Sequence, residues 1–243
     1  MKTLLVDGDV VLYEVTTTVE EAICWGDDFW TLHADMKVAR GKLNANLAAL
    51  KATLKADHMI IALSDVGNNF RKNLSPDYKK HRKKKRKPVI YYELREFCED
   101  VYECVCWDNL EADDVLGLLS DSYVSSTIVT IDKDLRTIAG SHYNPMKPDE
   151  GETWVDGKEA DFNFYKQTLM GDLVDGYKGC PGIGPKTAER LLKEHGSSWE
   201  TVRDAYLNAG ETEDYALLQA RMARILRPGE YNERTGEPIL WQP

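Results

Sequence analysis

Three apolar, strand-like runs in this chain lead into aspartate. Residues 2–6 (KTLLV) reach Asp7, residues 58–63 (HMIIAL) reach Ser64-Asp65, and residues 126–131 (STIVTI) reach Asp132. Between them lie segments with helical spacing, such as residues 38–56 with Leu43, Leu47, Leu50 and Leu54 on one face. Helices are also predicted over 91–102 and 111–123, a short strand near 104–107, and a short helix from about Lys133. Strands alternating with helices through about residue 140 predict an α/β fold with a largely parallel central sheet flanked by helices. From Lys158 onward helical patterns take over. Residues 16–36 are acidic and aromatic-rich, and the pattern assigns them to no element. Neither an internal repeat nor a long linker divides the chain. We therefore expect one domain over 1–243, with an α/β core over 1–157 and a helical region over 158–243.

In an open α/β sheet, ligands gather beyond the carboxyl ends of the strands. Carboxylates that follow several strands can converge there although they are distant in sequence. Besides Asp7, Asp65 and Asp132, the candidates are Asp9, Glu111, Asp113 and Asp114 in EADD, Asp134 in DKD, and Asp172 and Asp175 in GDLVD. Three of these clusters have an ordinary structural alternative: a strand-ending turn for Asp7-Gly8-Asp9, and an acidic first helical turn for EADD and for Asp132-Lys133-Asp134. Recurrence at several strand ends favours a shared site. So many carboxylates cannot stay ionised side by side without cations between them. Hard divalent ions with oxygen ligands, Mg²⁺ or Mn²⁺, fit such a donor set.

The net charge of -10 argues against a nucleic-acid partner, but its distribution argues for one. Residues 79–87 read KKHRKKKRK, in which only His81 is neither Lys nor Arg. A local basic field on an acidic chain is an electrostatic footprint for phosphates. Lys79, Arg82 and Arg71 are candidates to neutralise a reacting phosphate. Lys83, Lys84, Lys85, Arg86 and Lys87 suit sequence-independent DNA contact, and Tyr78, Tyr91 and Tyr92 suit base stacking. A second signal is residues 179–188 (GCPGIGPKTA). Gly182 and Gly184 permit a tight hairpin with exposed amides, Pro185 suits the first turn of a helix, and Lys178 and Lys186 add charge. The alternative for this segment is a purely structural joint. The five cysteines are an odd number without framework or zinc spacing, so free thiols are expected. The chain has no run near the roughly 20 apolar residues of a membrane span and no leader pattern, which predicts a cytoplasmic protein without a membrane partner. The GxSxG and GxxxxGK[ST] motifs are absent.

In this order, the motifs resemble those of the 5′-nuclease family, which includes flap endonucleases, the 5′-nuclease domain of bacterial DNA polymerase I and stand-alone phage 5′→3′ exonucleases. The matching stretches are LLVDGD, SDVGNNFRK, YKKHR, EADD, TIDKD and GDLVDGYKGCPGIGPKTA. The C-terminal residues 220–243 look like the end of the exonucleases of lytic podoviruses. The resemblance implies a PIN-like 5′-nuclease fold with a basic helical arch over 67–90 and a helix-hairpin-helix over 172–195. It implies two divalent ions, one surrounded by Asp7, Asp65, Glu111 and Asp113, the other held or supported by Asp113, Asp114, Asp132, Asp134, Asp172 and Asp175. It makes Lys79 and Arg82 the catalytic cations of the arch. Gly182, Gly184, Lys186 and Thr187 become a duplex grip at which K⁺ is a candidate ion. The arch is short and unusually basic, which suits an exonuclease acting on duplex ends more than one threading a flap.

The implied function is 5′→3′ exonuclease action on duplex DNA, with 5′-flap cleavage and RNA-primer removal, in phage replication, recombination or host-DNA degradation. Double-stranded DNA with 5′ ends, gaps or flaps, and RNA–DNA hybrids, are the expected partners of a monomer in the host cytoplasm. Two rival readings are a haloacid-dehalogenase-type phosphatase, which Asp7-Gly8-Asp9 imitates, and a non-catalytic DNA-structure-binding protein. The phosphatase has no use for PGIGPKTA or the basic block.

Overall fold

The structure, a computed structural model, describes residues 1–81 and 85–243. The sequence expectations for Arg82, Lys83 and Lys84 therefore lie outside the described residues. The chain opens with β1 (Thr3–Asp7), all five residues of which are buried. Burial on both faces is the signature of a central strand in a covered parallel sheet. Helix α1 (Gly8–Val19) follows directly, then a hairpin of β2 (Glu20–Cys24) and β3 (Trp30–Ala34), then α2 (Met36–Thr53) and β4 (His58–Ala62). A short helix α3 (Phe70–Leu74) precedes the basic segment, and α4 (Tyr91–Val101) follows it. Next come β5 (Cys104–Val105), α5 (Ala112–Leu119), β6 (Ser126–Val129), β7 (Gly140–Tyr143) and β8 (Glu152–Val155). The C-terminal part contains α6 (Gly157–Met170), α7 (Pro185–His195), α8 (Trp199–Asn208), α9 (Glu213–Ala223) and the two-residue strands β9 (Tyr231–Asn232) and β10 (Glu237–Pro238).

Among the described residues the main sheet has the order β5-β4-β1-β6-β7-β8. Its pairings are parallel except for β7 with β8. The chain leaves β1 towards β4 and later returns to β6 on the other side of β1. The carboxyl ends of β1 and β6 therefore flank the point where connections diverge, the place at which α/β sheets build ligand crevices.

Side chains of β1 alternate between the two sheet faces. Leu4 and Val6 enter one core with Leu12, Leu43, Leu47 and Leu94 of α1, α2 and α4. Leu5 enters the other core with Val115 and Leu116 of α5 and with Ile225 and Leu226 near the C terminus. Each fully buried leucine contributes roughly 1.5–3 kcal/mol. Helix α1 can start against β4 only because position 8 is glycine: a Cβ there would stand 2.5 Å from Ile61 Cγ2 and 2.7 Å from the Ala62 carbonyl oxygen. A third core belongs to the helical region, where Phe164, Leu192, Trp199 and Tyr206 are buried. The tail closes over it, and Trp241 packs edge-on at 5.2 Å from Phe164 and 5.3 Å from Trp199.

Several element boundaries differ from the sequence expectation. Residues 16–36, assigned to no element, form the end of α1 and the β2–β3 hairpin. The hairpin is mostly exposed on both faces, so it lacks the alternation that marks a half-buried strand. Helix α5 ends at Leu119 rather than near 123. Strand β5 is two residues long. No helix among the described residues is long and apolar enough to cross a membrane.

Candidate active site

Asp7 ends β1 and caps α1. One oxygen accepts the Val10 N–H at 3.2 Å, and the other accepts the Thr130 hydroxyl at 2.9 Å across the gap to the end of β6. Asp132 caps the 3₁₀ turn Lys133–Thr137, which carries Asp134. Glu111 is the residue before α5, and Asp113 lies in its first turn. Asp172 and Asp175 occupy a turn after α6, in which the Asp172 carboxylate accepts the N–H groups of Val174 and Asp175. These side chains line one cleft of about 450 Å³, together with Asp9, Lys79, Lys133 and Tyr177. Eight carboxylates thus face three basic residues, Arg71, Lys79 and Lys133, around it.

The crowding shows in their acidities. Burial, then the neighbouring Asp9, push Asp7 up to about 7 despite its hydrogen bonds from Val10 and Thr130. Burial, then Asp7 and Asp132, push Asp113 far above the ordinary carboxylate range. Burial, then Asp132, raise Asp134 to about 6. Glu111 goes the other way. Burial would raise it, but the Lys79 and Arg71 cations and hydrogen bonds from Lys79 and Tyr78 hold it at about 2. The contrast identifies what the cleft lacks: Glu111 has cations beside it, whereas Asp7, Asp113 and Asp134 are raised by neighbouring carboxylates, Asp132 among them in each case. A divalent cation would supply the missing charge. Among the described residues no three His, Cys, Asp or Glu side chains stand at direct chelating distance of a single point. Mg²⁺ usually keeps several waters and binds through one or two carboxylates, so a wide acidic cleft fits it better than a closed cage.

A pH dependence follows. Asp7 and Asp134 have folded-state values near 7 and 6, above the ordinary 3.8. The stability they contribute is fully present below their unfolded value and is lost as pH rises through about 6 to 7. Divalent ions compensate the ionised forms. The Mg²⁺-induced rise in melting temperature should therefore grow between about pH 5 and pH 8. A rise independent of pH in thermal melts would contradict this assignment.

Lys79 is held at the cleft wall by two acids. Its Nζ stands 2.7 Å from Glu111 Oε1 and 3.5 Å from Asp175 Oδ2. Its N–H donates to the Asp175 carbonyl at 2.8 Å, and its φ is +48°. A non-glycine residue in that region costs on the order of 1–3 kcal/mol, and the surrounding contacts must impose it. Gly176 is one of those contacts. Its φ is +86°, and a Cβ would lie 2.5 Å from the Asp77 carbonyl oxygen. The acidic turn and the base of the basic segment are thereby packed together.

Four sequence assignments need correction. Asp114 is fully buried and forms a two-pronged ion pair with Arg71, at 2.6 and 2.7 Å, while also accepting the Leu226 N–H. It is a structural anchor, with no oxygen left for a metal in the cleft. Arg71, 3% exposed, also donates to the Met222 and Arg224 carbonyls, so it cannot reach DNA. Tyr78 is buried and donates its hydroxyl to Glu111 at 2.6 Å, so it offers no stacking face. Asp65 stands outside the acidic cleft. Its two oxygens accept the N–H groups of Gly67 and Asn109, closing a turn, and Ser64 lines the cleft in its stead. Asp9, a candidate by position that the resemblance assigned to neither ion, does line the cleft. The signal was present in Asp7-Gly8-Asp9: one residue into a helix, a side chain can face the same crevice as the cap.

The basic segment and the hairpin lie on opposite sides of this cleft. Lys85 and Lys87 line a neighbouring cleft together with Asp9 and Lys79, Lys87 sits 3.9 Å above the Tyr91 ring, and Arg86 pairs with Glu20 at 2.6 Å. On the other side, a third cleft runs from Lys133 and Asp134 past Arg136 and Lys166 to Pro185, the first residue of α7. The expected first helix of the 172–195 motif is instead a turn pinned by a bridge between Asp172 and Tyr177. Lys178, Gly182, Gly184 and Lys186 are exposed, and Thr187 is half-buried in the first turn of α7. Gly184 has φ -97°, which any residue adopts, and nothing lies within 4 Å of where its Cβ would stand. Neither backbone nor internal packing requires glycine there, whereas an external backbone approaching the free amides of α7 would.

Residues 2–165 match the family described as 5′-3′ exonuclease, N-terminal resolvase-like domain. The exodeoxyribonuclease of Enterobacteria phage T3 is 29% identical, over 99% of this chain and 92% of its own length. The fold is similar to that of the 5′-exonuclease of bacteriophage T5 with bound zinc ions, at a TM-score of 0.69 and 16% identity, covering 92% of this chain and 89% of that one. A T5 flap endonuclease in a pseudo-enzyme–product complex with DNA and metal ions aligns at a TM-score of 0.63 and 15% identity, over the same shares of the two chains.

Proposed function

Because the chain belongs to the 5′–3′ exonuclease family, we propose that it is a divalent-metal-dependent 5′→3′ exonuclease and flap nuclease that hydrolyses phosphodiesters in DNA. The observation that carries this reading is an acidic cleft with basic clefts on both sides. DNA phosphates fit the flanks and repel the centre unless cations stand between. The dehalogenase alternative has no role for the flanks, and a non-catalytic binder has no reason to keep eight carboxylates where phosphates must pass.

We assign two ions, Mg²⁺ or Mn²⁺, to the cleft, with Asp7, Asp9, Glu111 and Asp113 on one side and Asp132, Asp134, Asp172 and Asp175 on the other. Such ions lower the pKa of a bound water and stabilise a leaving 3′ oxygen. Glu111 is kept ionised by Lys79, Arg71 and Tyr78, so it is a ligand that does not compete with protons. Lys79, at the cleft wall beside Glu111 and Asp175, would offset charge that builds on the phosphoryl oxygens. The α7 amides and Lys186 grip the duplex behind the cleaved end, with K⁺ the monovalent ion we assign to that hairpin. We extend the substrate class to RNA–DNA hybrids and place a monomeric enzyme in the host cytoplasm.

The direct test uses a duplex labelled at either end. Mg²⁺ should release short labelled products from the 5′ label first, and EDTA should stop the reaction. Release from the 3′ label first, or a reaction indifferent to EDTA, would overturn the reading. Lys79→Ala should lower the single-turnover rate roughly 10²-fold while changing duplex affinity little. A variant with a binding defect alone would remove Lys79 from catalysis. Gly184→Val should weaken duplex binding in Ca²⁺ and spare short single strands. Equal losses on both substrates would leave the hairpin a structural joint.

A further inference from the structure

Two thiols that take no part in the reaction meet at the edge of the main sheet. Cys98, in the last turn of α4, is buried, and its Sγ lies 3.8 Å from the Sγ of Cys104, the first residue of β5. Cys104 is half-buried, and its thiol also donates to the Cys98 carbonyl at 3.5 Å. The remaining cysteines have other surroundings. Cys24 is exposed on the β2–β3 hairpin, Cys180 donates to the Ala205 carbonyl, and Cys106 accepts an N–H of Arg95 at 3.5 Å. Thiols enclosed in a core are inert as a rule. This pair differs because one sulfur is within reach of solvent and the other touches it. The hydrogen bond between the two thiols holds Cys104 below the usual thiol range and Cys98 above it, and the Arg95 cation adds a weaker pull on Cys104 in the same direction.

We propose that Cys98 and Cys104 are a modification site, joined in a reversible disulfide when the chain meets a hydroperoxide, with Cys104 oxidised first and Cys98 resolving it. The Cys104 thiolate attacks one peroxide oxygen and the O–O bond breaks. The sulfur becomes a sulfenic acid, and the other oxygen leaves as water after taking up a proton. The Cys98 sulfur then attacks the Cys104 sulfur and gives up its proton, and the S–O bond breaks to release a second water. Two thiols lose two electrons in all, and one peroxide gains them. A small thiol reverses the bond by exchange. The bond would brace a weak point of the sheet. Strand β5 is two residues long, lies at the sheet edge and pairs only with β4, through Cys104 and Val105. Helix α4, to which the bond would fasten it, also reaches the acidic cleft: Tyr91 donates its hydroxyl to Asp9 at 3.2 Å, and Arg95 donates to the Ser64 carbonyl at 2.8 Å. The inference does not depend on the nuclease reading.

The test treats the full chain with hydrogen peroxide, blocks the remaining thiols with iodoacetamide and digests without reduction, using a protease that cleaves after glutamate. Cleavage after Glu96, Glu99 and Glu103 places Cys98 and Cys104 on separate peptides. Mass spectrometry should find the Cys98 peptide bonded to the peptide that begins at Cys104, in the wild type and in Cys106→Ser alike, and dithiothreitol should separate the two. In Cys98→Ser, dimedone should trap a sulfenic acid at Cys104, whereas in Cys104→Ser the Cys98 thiol should stay reduced. The oxidised wild type should melt about 4 °C above the reduced one, and Cys98→Ser should lack the shift. If Cys98→Ser does not fold, the wild-type map and Cys104→Ser decide. Peroxide that modifies Cys24 and Cys106 while Cys98 and Cys104 stay reduced would overturn the proposal, as would a link that disappears in Cys106→Ser. An oxidised wild type that carries the bond but melts as the reduced one does would overturn the bracing role.

Discussion

Asp113→Ala is expected to lower the single-turnover rate on a 5′-ended duplex by about 10³-fold at saturating Mg²⁺, because a ligand to the ions serves both water activation and leaving-group stabilisation. Asp132→Ala, which removes another carboxylate of the same cleft, should behave similarly. The fold should not suffer. Asp113 is pushed far above its usual range by burial and by Asp7 and Asp132, so its removal relieves repulsion in the metal-free protein. The melting temperature without metal should stay level or rise, while the Mg²⁺-induced increment shrinks. Duplex affinity in Ca²⁺ should fall far less than the rate. Near-normal turnover in Asp113→Ala would remove it from the set of ligands.

One residue along, Asp114→Ala should do the reverse. Its carboxylate is the buried partner of Arg71, at 2.6 and 2.7 Å. Removing one member of a buried pair leaves an uncompensated charge and costs about 3–5 kcal/mol. For a chain of this size that corresponds to a fall in melting temperature of roughly 6–20 °C. The loss should appear equally with and without Mg²⁺, because Asp114 does not face the cleft. Replacing Arg71 and Asp114 together with leucine and asparagine should recover part of the stability. A mild effect on melting with a large loss of Mg²⁺ response would instead make Asp114 a metal ligand.

This pair shows what the sequence could and could not convey. EADD announces an acidic helix start, and neighbouring residues of a helix point about 100° apart. One of two adjacent aspartates was therefore bound to leave the cleft. Which one depends on Arg71, 43 positions away, and no local pattern carries that. The strands behave similarly. Their apolar runs and terminal aspartates foretell a parallel sheet with acids at its carboxyl end, and β1, β4 and β6 do bring Asp7 and Asp132 to one crevice. Beyond β4, however, Ser64 lines the cleft and Asp65 closes a turn, an offset of one residue that changes which side chain faces inward. Tyr78 and Arg71 looked like parts of a DNA surface because basic and aromatic residues surround them, but burial beneath α9 and against Glu111 is a tertiary fact. Helix α1 was hidden by its valines and threonines, which favour strands when taken alone. The β2–β3 hairpin was hidden because exposure on both faces erases periodicity.

The claim that these carboxylates hold two divalent ions can be examined by diffraction from crystals soaked in Mn²⁺, with data collected at the manganese edge. Two anomalous peaks about 3.5–4 Å apart are expected inside the cleft, with Asp113 beside them and neither Asp114 nor Asp65 in contact. A cleft without peaks at millimolar Mn²⁺, or peaks bound only at Asp65, would contradict it.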